Sequence, residues 1–179
     1  QVRSKLRNFD LREMHLSALK KWVDKAVEIS DLNDSAEVSA QLKTQWKNLE
    51  TVIDQLYHLA NELQYEVAYE YLFTMINALC NEAGPLLSHS YWNELIQVTS
   101  HAIAIAQPLE DYEQLRRFSY YLAWACYNQE RLDDAKEWLQ KMDEAIQQTN
   151  SLDEKGVWAR LHSLIAKKDG DLDLAHKYL

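Results

Sequence analysis

Glu130-Arg131-Leu132-Asp133-Asp134-Ala135 recurs in pattern 40 residues on, as Gly170-Asp171-Leu172-Asp173-Leu174-Ala175, and 40 residues back, as Ser90-Tyr91-Trp92-Asn93-Glu94-Leu95. A turn residue opens each copy. A large apolar residue follows two places on (Trp92, Leu132, Leu172), and a small or aliphatic one three places further (Leu95, Ala135, Ala175). Self-similarity at a fixed period marks a helical repeat array, in which each unit buries its apolar face on the next. Such arrays present surfaces and rarely do chemistry. The pattern therefore specifies an architecture and a class of task, but not a partner.

Working outward, apolar residues keep helical spacing almost from end to end. Leu11, Met14, Ala18, Trp22, Val23, Ala26 and Ile29 predict a helix over 10–30. Asp31-Leu32-Asn33-Asp34-Ser35 is a turn whose Asp34 or Ser35 can cap the next helix, expected over 35–63 with Leu42, Trp46, Leu49, Ile53, Leu56, Leu59 and Ala60 on one face. A third helix over 65–82 carries Val67, Ala68, Tyr71, Leu72, Met75, Ile76 and Leu79 inward, and Gly84-Pro85 then breaks the chain. Helices are expected over 90–106, 111–129, 132–149 and 152–169, with a further start at Asp171. Their connections are short, so consecutive helices must be antiparallel neighbours.

Composition agrees with an all-α chain. Of 179 residues 47% are hydrophobic, and with three Gly and two Pro the tight turns of a β-rich fold are nearly missing. A formal net charge of -9 argues against nucleic-acid phosphates or an anionic membrane as partner. No apolar run approaches a membrane span and no leader pattern opens the chain. Cys80 and Cys126 stand isolated, which favours buried thiols in a reducing, cytoplasmic setting over a disulfide. The sequence opens without Met and stops at Leu179 inside a helical pattern. It reads as one solenoid piece of a longer polypeptide, with an N-terminal hairpin over 8–63 and further hairpins over 64–179, the last truncated.

From Arg116 onward the pattern resembles a tetratricopeptide repeat. Leu122 and Ala123 fall at the large-small pair of the first helix, Ala135 at the small position of the second, Leu132 after the turn and Leu139 at the later large position; Gly170, Leu172, Ala175 and Leu179 repeat the scheme. The longer period is similar to the arrays found in bacterial signal-transduction ATPases with numerous domains. Trp46-Lys47-Asn48-Leu49 with Val52-Ile53 resembles the helix preceding such arrays, and 90–106 resembles the second helix of their first full repeat. The interruption at Gly84-Pro85 departs from that pattern. No phosphate-cradling Gly-rich loop is present. The resemblance implies a right-handed α-solenoid of stacked antiparallel hairpins. It would act as a non-catalytic interaction or sensor scaffold of a signalling ATPase, without cofactor, binding a protein or peptide partner or other domains of the parent chain. A structural spacer and a small-ligand sensor are the alternatives.

Candidate chemistry is sparse. His15, His58, His89, His101, His162 and His176 lack metal-ligand pairing; His58 and Glu62 share a helix face, but no second ligand pair accompanies them. Acidic pairs such as Asp133-Asp134 lie in first helical turns, where they offset the helix dipole. No catalytic residue is expected, and no enzyme. In the family the first helix of each pair lines the concave groove. That assigns Arg117, Tyr120, Trp124, Tyr127 and Asn128 in one unit, and Val157, Arg160, Leu164 and Lys167 in the next. Tyr120, Trp124 and Tyr127 recur at four and three residues and form one stripe. Either the stripe packs on a neighbouring helix, or it anchors an acidic or aromatic-bearing peptide beside Arg117, Arg160 and Lys167.

Overall fold

Every described element is helical: α1 (Val2–Ser30), α2 (Ser35–Leu63), α3 (Glu66–Cys80), α4 (Pro85–Ser88), α5 (Trp92–Ala106), α6 (Tyr112–Asn128), α7 (Leu132–Thr149), α8 (Lys155–Asp169) and α9 (Leu172–Lys177). The computed structural model describes residues 2–63, 66–81, 83–149 and 155–178, with side chains from 13 onward except 62, 63 and 155–157. Leu152 and Leu179, both expected in helices, lie outside these residues. The helices divide into two compact units, 1–90 and 91–179. The hairpin boundary expected at 63 lies between α2 and α3, which pack on each other within the first unit.

In the first unit α1, α2 and α3 each pack on the other two, and α4 rests on α3. Leu16, Leu19, Val23, Ala26 and Ile29 of α1 meet Leu42, Leu49, Ile53 and Leu56 of α2 and Leu72, Met75, Ile76 and Leu79 of α3 in a common core. Each such side chain contributes about 1.5–3 kcal/mol by leaving water. Two apolar stripes run along α1, and the bundle buries only one. Met14, expected inside, is 69% exposed, because Leu16 and Leu19 occupy the buried line and Met14 lies on the other.

Gly84-Pro85 starts a helix rather than merely ending one. Proline takes the first helical position of α4 behind an extended Gly84, where its missing amide costs nothing. Gly84 is buried, and a Cβ there would stand 2.7 Å from the Leu79 carbonyl and the Asn81 amide. His89 then ties α4 to the start of α2, with Nε2 3.0 Å from Ser35 Oγ.

The second unit is built around α6, which packs along both α5 and α7 as antiparallel hairpins. Among the described residues the chain turns one corner three times. The Asp111, Arg131 and Asp171 amides donate to the Ala106, Cys126 and Ala166 carbonyls at 3.0, 2.9 and 2.9 Å. The preceding residue is left-handed each time, with φ 52 at Glu110, 62 at Glu130 and 87 at Gly170. This six-to-one bond closing over a left-handed residue satisfies carbonyls that a helix end would otherwise leave open. Ser90 shares the left-handed φ, at 62. Positions 90, 110, 130 and 170 fall on a 20-residue series whose remaining member, 150, lies outside the described residues. Asp111 and Asp171 also cap the helices they introduce, accepting from the Gln114 and Leu174 amides at 3.2 and 2.9 Å.

The 40-residue repeat is therefore a repeat of corners and contact positions. Leu95, Ala135 and Ala175 are all buried, as the pattern predicts. The large apolar positions are less alike: Trp92 and Leu132 are half-buried, but Leu172 is 59% exposed. It sits at the start of α9, a six-residue helix that packs chiefly on α8 and turns Ala175 inward.

Candidate functional site

Among the residues proposed for a groove, those on α6 form one continuous feature. Phe118, Tyr121, Leu122, Ala125 and Cys126 are buried and fix which way the helix faces. Arg117, Tyr120, Trp124 and Tyr127 are then left half-buried, with Asn128 exposed. The three rings make a ladder: Tyr120 and Trp124 centroids are 6.4 Å apart, and Trp124 and Tyr127 6.1 Å apart. Tyr121 meets Tyr120 edge-on at 5.6 Å and braces it from the core side. Packing and exposure are thus shared by each ring.

The two ends of the ladder carry ion pairs. At one end Glu113 Oε1 accepts from Arg116 at 2.7 Å and lies 3.5 Å from an Arg117 nitrogen. At the other, Asn128 Nδ2 donates to the Trp124 carbonyl at 2.8 Å. Lys168, on α8, places its ammonium 5.0 Å from the Tyr127 ring centroid and 3.4 Å from Glu130 Oε1. Such a cation–π contact contributes about 0.5–1 kcal/mol at an exposed site.

Lys168, not the expected Lys167, is the lysine recorded over the aromatic ladder. One residue of helix is a rotation of about 100°, which separates neighbouring side chains on a wheel. Arg160 and Lys167 are exposed on α8, Leu164 is half-buried, and the Val157 side chain lies outside the described residues. Lys136 of α7 pairs with Asp169 of α8 at 2.6 Å, and that hydrogen bond raises the lysine pKa.

A second cluster had no motif to reveal it. The Trp158 indole N–H donates to Asp143 Oδ1, and His162 Nε2 lies 3.3 Å from the same oxygen. Tyr178 stacks on His162 at 4.6 Å and meets Trp158 edge-on at 5.3 Å. Its members come from α7, α8 and the residue after α9, so only the Trp158–His162 spacing of four was visible in the sequence.

Cys80 and Cys126 are both free and buried. Burial pushes the Cys80 thiol well above its ordinary value and raises Cys126 too, although Arg131 opposes the latter shift. Among the described residues no group of three or more His, Cys, Asp or Glu is placed to share a metal ion. His58 is exposed, and the Glu62 side chain lies outside the described residues. No described helix is long and apolar enough to cross a membrane. Compared with protein families, characterised proteins and solved structures, the chain matches none.

Proposed function

We propose that this chain is a non-catalytic protein-interaction module: a tetratricopeptide-like, right-handed solenoid that recruits a protein or peptide partner, as part of a larger signalling ATPase. The aromatic ladder of α6 carries the proposal. Tyr120, Trp124 and Tyr127 are half-exposed in a row, held by a buried helix face and met at one end by Lys168 of the neighbouring hairpin. Half-buried aromatics pre-ordered by packing are the side chains that dominate protein interfaces, because they lose little freedom on binding. Equal corners at Glu110, Glu130 and Gly170, with Ala135 and Ala175 buried at the hairpin contacts, support the repeat architecture.

The test is capture of a partner by the parent protein, compared with Tyr120→Ala and Tyr127→Ala. Circular dichroism melting confirms that both variants fold. Loss of the partner from both variants is the expected result. Equal retention by both overturns the groove assignment, and no capture by the folded parent favours an internal spacer.

A further inference from the structure

Away from the ladder, the second unit contains a cleft of about 550 Å³ between the end of α5, the first half of α6 and the second half of α7. That volume lies within the usual range for small-ligand sites. Ser119, 1% exposed, contributes to its floor, and half-buried Tyr112 and Trp138 line it. Glu110 and Glu144 are exposed where they border the cleft. Glu144 is held in place by the Gln140 amide, which donates to Oε1 at 3.0 Å. Among the described residues lining the cleft, the one cation is Lys141. Its ammonium lies 3.9 Å from the Trp138 ring centroid and 2.8 Å from Glu137 Oε1.

We infer that this cleft binds a small organic cation, an amine or quaternary ammonium, between its aromatic walls and its carboxylates. The Trp138 ring already receives an ammonium, so its face accepts a cation once Lys141 moves aside. Electron-rich ring faces attract alkylammonium groups, and nearby carboxylates strengthen that attraction. Lys141 is tethered to the same helix and paired with Glu137. It acts as a resident occupant that a ligand must displace, not as a ligand-binding group. An anionic ligand would instead face Glu110 and Glu144, with Lys141 already paired with Glu137.

The measurement is isothermal titration of the full chain with choline, and with 3,3-dimethyl-1-butanol as its uncharged isostere. Saturable choline binding is expected, at least about fivefold tighter than the isostere, and weakened severalfold by Trp138→Ala and by Glu144→Gln. Lys141→Ala, at an exposed position, should tighten choline binding severalfold, since it frees the ring face and removes a like charge. Trp138→Phe serves if Trp138→Ala melts below the assay temperature, and should retain part of the binding. The inference is overturned by equal binding of the isostere, by no saturable choline binding to the parent, or by weaker binding to Lys141→Ala.

Discussion

Gly170 occupies the left-handed corner position that Glu130 occupies one repeat earlier, with φ 87 against 62. The same backbone bond closes both corners, from Asp171 to Ala166 and from Arg131 to Cys126. Glycine adopts this conformation without cost, whereas a glutamate is strained there. Glu130→Gly is therefore expected to stabilise the second unit by up to about 1 kcal/mol, less the small contribution of its exposed pair with Lys168. Urea denaturation of the parent and variant checks it.

Gly170 and Gly84 are required for different reasons. A Cβ on Gly170 would meet nothing within 4 Å, so Gly170→Ala costs only the left-handed backbone, about 1 kcal/mol. Asparagine, which tolerates that conformation, should cost less. Gly84→Ala drives a methyl group into backbone atoms at 2.7 Å and should cost more than Gly170→Ala. Equal melting temperatures for the two alanine variants would contradict this.

Ala135 is fully buried at the contact of α6 with α7. Trp at this position must part the two helices, so Ala135→Trp is expected to lower stability by about 1–3 kcal/mol in denaturant unfolding. The same exchange at exposed Ala104 should change it little.

Asp143 holds Trp158 and His162 together. A double-mutant cycle of Asp143→Ala and Trp158→Phe should give a coupling of about 0.5–1.5 kcal/mol from unfolding free energies. Additive effects would mean that the indole–carboxylate bond contributes nothing.

Burial pushes the Cys80 thiol well above its ordinary value of 9.0. Below 9 both folded and unfolded chains keep the proton, and stability is at its full level. Above 9 the unfolded chain loses it first, so stability falls as pH rises, by up to about 1.4 kcal/mol per pH unit from this thiol. Cys80→Ala should lose that share of the alkaline slope. Iodoacetamide should label neither cysteine at pH 8 until denaturant is added.

Much of the helix pattern was legible because strong periodicity met clear capping. The expected bounds of α2 and α7 match, since Asp34 and Ser35 open one and the Glu130 corner opens the other. What failed was whatever depends on tertiary choice. On α1 the expected line ran through Met14, whereas Leu16 and Leu19 continue the spacing of Val23, Ala26 and Ile29 into the core. Pro85 can end or begin a helix, and only the extended Gly84 settles which. The division at 90/91 left no compositional trace. On the α6 face the aromatic spacing was enough to find the ladder. Choosing Lys168 over Lys167 required the position of a second helix, as did the grouping of Asp143 with Tyr178.

The evenly spaced corners set a rule for how this chain can change length. Adding a complete hairpin preserves the phase of every downstream side chain. Inserting one residue within α6 turns everything after it by about 100°. An insertion before Tyr120 would carry Tyr120 and Trp124 onto buried positions, move Tyr127 to an exposed one and turn Ala123 and Cys126 outward. Length changes that keep these faces in phase are consequently quantised in whole segments.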